Sequence, residues 1–221
     1  MNDTWVIIPM YNEEQVIGDV LTQVHTAFEQ VVCVDDGSSD RSGDVAARAG
    51  ARVVSHPINL GQGAALQTGF EFALADPTMK YVVTFDGDGQ HQISDALGMV
   101  DRLRAGEADV VFGSRFLDER SKPTFGKKMV LRAAVGYTNM TTHTRLTDAH
   151  NGLRAISRPV LEKIGITQNR MAHASELVAQ IGAFKVSYVE HPVHILYSDY
   201  SKAKGQSLWN SINILADLIL R

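Results

Sequence analysis

Only one of the 221 residues is a cysteine, Cys33. That excludes an internal disulfide framework and any metal site built on clustered thiolates. Lying in an apolar run, Cys33 reads as a small core residue. Basic residues are also in deficit, since 21 Lys and Arg against 25 Asp and Glu leave a net charge of −4. A surface that binds nucleic acid through excess positive charge is therefore not expected. No apolar run approaches the roughly 18 residues of a membrane span. The stretch Val6-Ile7-Ile8 comes too early for a secretory signal and is cut by Pro9. Internal repeats, low-complexity tracts and linkers are missing too. The expected location is the cytoplasm. What remains is an ordinary globular composition, 44% hydrophobic and 21% charged, in a length that fits one domain.

The chain alternates short apolar runs with segments of helical spacing. The runs are Trp5–Ile8, Val31–Val34, Arg52–Val54, Tyr81–Phe85 and Val110–Phe112, rich in the Val, Ile and aromatics of buried strands. Between them, Val16, Val20, Leu21 and Val24 share one helix face. Val45, Ala46 and Ala49 share another, as do Ala65, Leu66, Gly69, Phe70 and Ala73, and more weakly Leu97, Val100, Asp101 and Leu103. This rhythm predicts an α/β fold, a mainly parallel sheet covered by helices on both faces. In such sheets the ligand site lies beyond the carboxyl ends of the strands.

The residues just after those strands carry the chemistry. They are Pro9-Met10-Tyr11-Asn12-Glu13-Glu14, Asp35-Asp36-Gly37-Ser38-Ser39-Asp40, Asn59-Leu60-Gly61-Gln62-Gly63, Asp86-Gly87-Asp88-Gly89-Gln90-His91 and Gly113-Ser114-Arg115. Asp86 and Asp88, two apart with glycine between them, can turn toward one hard divalent cation, and Gln90 can add a neutral oxygen. The alternative is a polar turn. Asp35 and Asp36 exceed what helix capping needs, and a carboxylate there can accept hydrogen bonds from a base or a ribose. The Asn59–Gly63 loop lacks the lysine and threonine of a P-loop, and its glycines are read first as a tight turn with close helix packing. The histidines His91, His143, His150, His173 and His191 are scattered, without a metal-binding pair at helical spacing.

Taken in order, Pro9–Glu13, Asp35–Ser38, Asp86–Asp88, Gly113–Arg115 and Asn151-Gly152-Leu153-Arg154 resemble a family 2 glycosyltransferase, in particular the dolichol- or polyprenyl-phosphate hexosyltransferases. The resemblance runs from about residue 5 to about residue 208. It implies a nucleotide-diphosphosugar (GT-A) fold, with residues 1–207 as catalytic domain, and an inverting transfer from an activated sugar. It places Pro9, Tyr11 and Glu13 on the nucleoside, with Val34 and Asp36 flanking the base and ribose and Gly63 at the donor. Asp86, Asp88 and Gln90 would hold Mg²⁺ or Mn²⁺ on the diphosphate, where charge develops on the leaving group. Arg115 resembles the arginine that faces the acceptor phosphate, with Arg132, on an expected helix 128–140, and Arg154 as further candidates. Tyr200–Ser207 resembles a basic loop in which Lys202 and Lys204 neutralise phosphate.

A transfer onto a hydroxyl needs a carboxylate base, whereas a phosphate acceptor is already ionised. Asp148 and Glu176 are the candidates for such a base. The acceptor expected from the resemblance is a polyprenyl phosphate in cell-envelope glycan synthesis. The alternatives are a saccharide hydroxyl with Glu176 as base, or a non-catalytic nucleotide-sugar binding protein. A nucleotidyltransferase should carry a glycine-rich basic loop near its start, which Pro9–Asn12 does not resemble. Leu208, Ile212, Leu215 and Ile219 give the tail 208–221 one apolar helix face, to pack on the core, on a second subunit in a homo-oligomer or on the bilayer. With the Lys122–Lys128 segment, this raises peripheral attachment to the inner membrane face and a small integral-membrane partner as further expectations.

Overall fold

The computed structural model describes residues 1–117, 135–136, 139–142, 144–170 and 172–196. Arg132, Lys202, Lys204, most of 128–140 and the tail 208–221 lie outside the described residues.

The first half alternates as its pattern predicts: β1 Thr4–Met10, α1 Ile17–Val24, β2 Gln30–Asp35, α2 Ser42–Arg48, β3 Arg52–Ser55, α3 Gln62–Leu74, β4 Tyr81–Thr84, α4 Ile93–Arg104 and β5 Val110–Ser114. After these come β6 Arg154–Ser157, the short α5 Arg158–Leu161, α6 His173–Ala183 and β7 Tyr188–Pro192. The strands form one seven-stranded sheet in the order β3-β2-β1-β4-β6-β5-β7. Strands β1 to β4 are parallel, and β5 and β7 are parallel to each other. Only β6 runs the other way, antiparallel to both β4 and β5.

Period-two alternation divides the core between the two faces. Ile7, Val32, Val34, Val82, Val110, Phe112 and Ile156 face one hydrophobic cluster, which includes α3 and α6. Val6, Ile8, Cys33, Val83, Val111 and Ala155 face the other, which includes α1 and α4. Strands buried on both faces read as continuous apolar runs, which is why β1, β2, β4 and β5 were legible, while the edge strand β3 showed only through Val53 and Val54. The two missed strands lack that signal. β6 is four residues long and opens on an arginine, and β7 is a partly exposed edge.

The face of α4 differs from its expected one. Ala96, Met99, Val100 and Leu103 are buried, at i, i+3, i+4 and i+7, while Asp101 is exposed. Buried Asp95 at its start accepts the His194 N–H (2.7 Å), tying the chain after β7 to this helix. In α1 the buried stripe is Ile17, Val20, Leu21 and Val24, because the helix begins one residue after Val16.

Candidate active site

The carboxyl ends of β1, β2 and β4 lie side by side, so the loops after them share one edge. The first two loops brace each other. Asn12 takes a left-handed φ of 55°. Its N–H donates to Ser38 Oγ (3.0 Å), and its Oδ1 accepts the Ser39 N–H (2.8 Å). The Glu13 N–H donates to Ser42 Oγ (2.7 Å). This leaves Tyr11 exposed beside a buried Glu13, with Pro9 half-buried at the end of β1.

Asp36 is buried and holds the loop after β3. Its Oδ1 accepts from His56 Nδ1 (2.7 Å) and the Leu60 N–H (2.9 Å), and its Oδ2 accepts from the Gly61 N–H (2.7 Å). The other ring nitrogen of His56 meets the Thr68 hydroxyl at 2.9 Å. Val34 points wholly into the core.

Both oxygens of Asp86 are engaged. Gln62 Nε2 donates to Oδ1 (3.1 Å), and His91 Nε2 meets Oδ2 at 2.9 Å. The buried His91 is itself set edge-on against Phe85. Gly152 passes directly under the carboxylate, where a Cβ would come within 2.7 Å of its Cγ. The Thr84 hydroxyl anchors that glycine by donating to its carbonyl (2.6 Å). Burial works to raise the Asp86 pKa, yet the His91 hydrogen bond and the charges of His91 and Arg154 hold it below the usual value.

Asp88 is in the opposite condition. Burial and the neighbouring Asp86 carboxylate, with Glu13 adding repulsion, push its pKa up to about 6. Its Oδ1 accepts the Gln90 N–H (3.1 Å). The Gln90 carbonyl in turn accepts the Leu196 N–H (3.0 Å). One carboxylate is thus locked and the other is crowded by like charge. No three His, Cys, Asp or Glu side chains among the described residues converge as a closed metal cage. Asp88, whose hydrogen bond takes only Oδ1, beside an Asp86 carboxylate fixed by neutral Gln62 and by His91, fits a hard divalent cation that takes its other ligands from substrate phosphates.

Farther along the edge, Asp148 Oδ2 accepts from both the Arg115 backbone N–H (3.2 Å) and Nε (2.6 Å). Both side chains are shielded, at 14% exposure for Arg115 and 0% for Asp148. Arg154, the first residue of β6, is 1% exposed, and its Nη2 donates to the Ala149 carbonyl (3.3 Å). Burial lowers its pKa to about 10, against the pull of Asp86 and Asp148. Burial likewise pushes His150 and His173 down to about 4.

Glu176, in the first turn of α6, accepts from the Thr167 N–H (3.0 Å), the Thr167 hydroxyl and the Gln168 N–H (2.9 Å). The segment it holds packs on the glycine loop. The Gly63 N–H donates to the Asn169 carbonyl (2.8 Å), and a Cβ on Gly63 would lie 2.9 Å from His173 Cβ. Gly61, with φ 104°, makes the turn into α3.

The structure therefore brings Asp86, Asp88 and Gln90 to one edge with Pro9, Tyr11 and Glu13, and pairs Arg115 with Asp148. Gln62, Thr84, His91, Thr147 and Glu190 went unrecognised in the sequence. Only Gln62 and His91 fall in stretches that the motifs marked.

The description "Glycosyl transferase family 2" matches residues 5–165. The chain belongs to glycosyl transferase family 2. Among relatives within the family, an uncharacterized protein of Methanocaldococcus jannaschii is 31% identical, covering 100% of this chain and 92% of its own. The UDP-N-acetylglucosamine–dolichyl-phosphate N-acetylglucosaminyltransferase of Methanococcus voltae is 27% identical over 98% of this chain and 94% of its own. The architecture is that of a GT-A glycosyltransferase. It matches glucosyl-3-phosphoglycerate synthase from Mycobacterium tuberculosis, solved with Mn²⁺, UDP-glucose and phosphoglyceric acid, at a TM-score of 0.70 and 20% identity, over 99% of this chain and 79% of that one. Among the described residues of this family 2 enzyme, no helix is long and apolar enough to cross a membrane.

Proposed function

We propose that this glycosyltransferase moves a hexose from a nucleotide-diphosphosugar to a polyprenyl-phosphate acceptor, with inversion at the anomeric carbon and with Mg²⁺ or Mn²⁺ at Asp86, Asp88 and Gln90. The observation that supports the choice of acceptor is that neither candidate base is presented to a substrate hydroxyl: the Asp148 side chain is 0% exposed, and Glu176 is tied to its own neighbouring segment. Asp148 is bound to Arg115, and Glu176 to the backbone of 167–168. A phosphate oxygen is ionised at neutral pH and attacks without a base. In this reading the acceptor oxygen forms the new bond to the anomeric carbon as the bond to the nucleoside diphosphate breaks. The bonding electrons leave with the diphosphate. Asp86, Asp88 and Gln90 would hold a divalent cation, which would supply positive charge to offset the negative charge developing on the leaving group.

The chain's own residues orient the reactants. Tyr11 and Glu13 form the nucleoside rim, and Asp36 fixes the loop beside it. Arg115, directed by Asp148, meets the acceptor phosphate through its planar donors. Arg154 is sealed beneath the site and supplies a fixed positive charge to it. The lipid acceptor is met at a membrane surface, on the cytosolic side, in the making of envelope glycans. The Methanococcus relative, named for transfer to dolichyl phosphate, supports this acceptor class.

The test is a screen of GDP-, UDP- and dTDP-sugars by thermal shift with Mn²⁺, followed by transfer to a short polyprenyl phosphate. Stabilisation by one donor class and a glycosyl-phosphate lipid product are expected. Transfer to a sugar hydroxyl with none to the lipid phosphate overturns the assignment.

A further inference from the structure

Glu190 lies in the middle of the edge strand β7, opposite Phe112 of β5, and no sequence motif marks it. Its Oε1 accepts three hydrogen bonds from one turn: the Thr147 N–H (2.8 Å), the Thr147 hydroxyl (2.8 Å) and the Asp148 N–H (3.1 Å). The Thr147 hydroxyl donates to Glu190 and so accepts from the Ser114 hydroxyl, 2.6 Å away. Ser114 Oγ accepts the Phe116 N–H (3.3 Å). Asp148 closes the circuit by accepting from Arg115 Nε and N–H. Arg102 Nη1 donates to the Glu190 carbonyl (2.6 Å), fixing the strand from the side of α4. Every link between Glu190 and Arg115 is thus a hydrogen bond on a short turn. The last link is a shielded ion pair whose partners are costly to separate.

We propose that Glu190 is a positioning residue that fixes the Thr147–Asp148 turn and, through Asp148, aims the Arg115 guanidinium. A carboxylate suits the task because an ionised acceptor makes stronger hydrogen bonds than a neutral one and can gather several donors. Strand β7 thereby acts on the site without touching substrate. That Arg115 meets the acceptor phosphate rests on the function proposed above; the link from Glu190 to Arg115 does not.

Two readouts test it on the full chain. The first is the Arg115 Nε–H resonance, which needs no substrate. It is protected from exchange in the wild type, and in Glu190→Ala it shifts and loses that protection. The second is the split between substrates. The KM for a short polyprenyl phosphate rises about tenfold or more, the scale seen when a partner that orients a metal ligand is removed, while nucleoside diphosphate with Mn²⁺ binds as in the wild type. Glu190→Gln keeps an oxygen for Thr147 and falls between the two. An unchanged Arg115 signal in Glu190→Ala overturns the proposal, as does an unchanged acceptor KM or an equal loss of donor binding. Should Glu190→Ala fail to fold, Glu190→Gln and Thr147→Val decide by the same readouts. A wild type that never uses polyprenyl phosphate overturns the proposed function, and the Arg115 resonance still decides the role of Glu190.

Discussion

The Asp86 carboxylate is seated on the α-carbon of Gly152, so closely that a Cβ at 152 would lie 2.7 Å from both Cγ and Oδ1. The Asn151-Gly152 motif, far along the chain from the Asp86–Asp88 turn, is therefore part of the same device. It leaves the space in which one carboxylate is clamped by Gln62 and His91. Gly152→Ala should push that carboxylate off its partners while leaving the sheet intact. We expect transfer to fall by roughly 100-fold, the usual cost of about 1 Å of misplacement. Circular dichroism should be unchanged. Wild-type initial rates in the variant would show that the close approach has no consequence.

Glu176 gives the opposite expectation. Its carboxylate accepts from the Thr167 and Gln168 backbone and so braces the segment packed on Gly63. Glu176→Gln should cost about 1–3 kcal/mol of stability, read from denaturant midpoints, because hydrogen bonds to a charged acceptor weaken. The transfer rate should hardly change. A loss of several orders of magnitude in rate at full stability would instead mark Glu176 as a base and favour a hydroxyl acceptor.

Acid should weaken the fold through two histidines. Burial pushes His150 and His173 down to about 4. The unfolded chain takes up these protons near pH 6.5, and the native state only near pH 4. Their contribution is complete above pH 6.5 and is lost as pH falls toward 4, with a slope of at most about 1.4 kcal/mol per pH unit for each. Asp88 works the other way. With its pKa raised to about 6, it favours the native state below its ordinary value of 3.8, and that gain is lost as pH rises through 6. Asp88→Asn should therefore steepen the fall in stability between pH 6 and 4 in metal-free protein, measured by urea unfolding. A shallower fall would contradict the sign.

Cys33 should be inert in the native protein. It is fully buried in the sheet, and burial, with Asp35 nearby, pushes the thiol up to about 12. The thiolate is the reactive form. A maleimide at pH 8 should leave the folded chain unmodified and label it once unfolded; rapid labelling of the folded chain would place the thiol elsewhere.

The fold was legible where strands are buried on both faces, since Trp5–Ile8 and Val31–Val34 need no partner to be recognised. It was illegible at β6 and β7. Arg154 interrupts the apolar signal of one, and the other is a polar edge that owes its place to pairing with β5. Among site residues, Asp86 and Asp88 stood out because two carboxylates two residues apart follow a buried strand, at the edge where such sheets bind ligands. Glu176 and Asp148 were equally visible, but what sequence cannot convey is whether a carboxylate's donors come from substrate or from its own backbone. Arg154 read as an acceptor contact for the same reason, although its side chain is fully buried. Glu190 gave no signal, since its work is done through hydrogen bonds to a turn more than 40 residues earlier in the chain.

The most direct measurement is the rate of sugar transfer from the donor found by the screen to a short polyprenyl phosphate with Mn²⁺, in wild type and in Asp88→Asn. The wild type should make a glycosyl-phosphate lipid. The variant should lose at least about 100-fold in rate, as when a group that stabilises a leaving charge is removed. An Asp88→Asn enzyme that transfers at the wild-type rate, or a wild type that makes no such lipid with any donor, would contradict the proposed function.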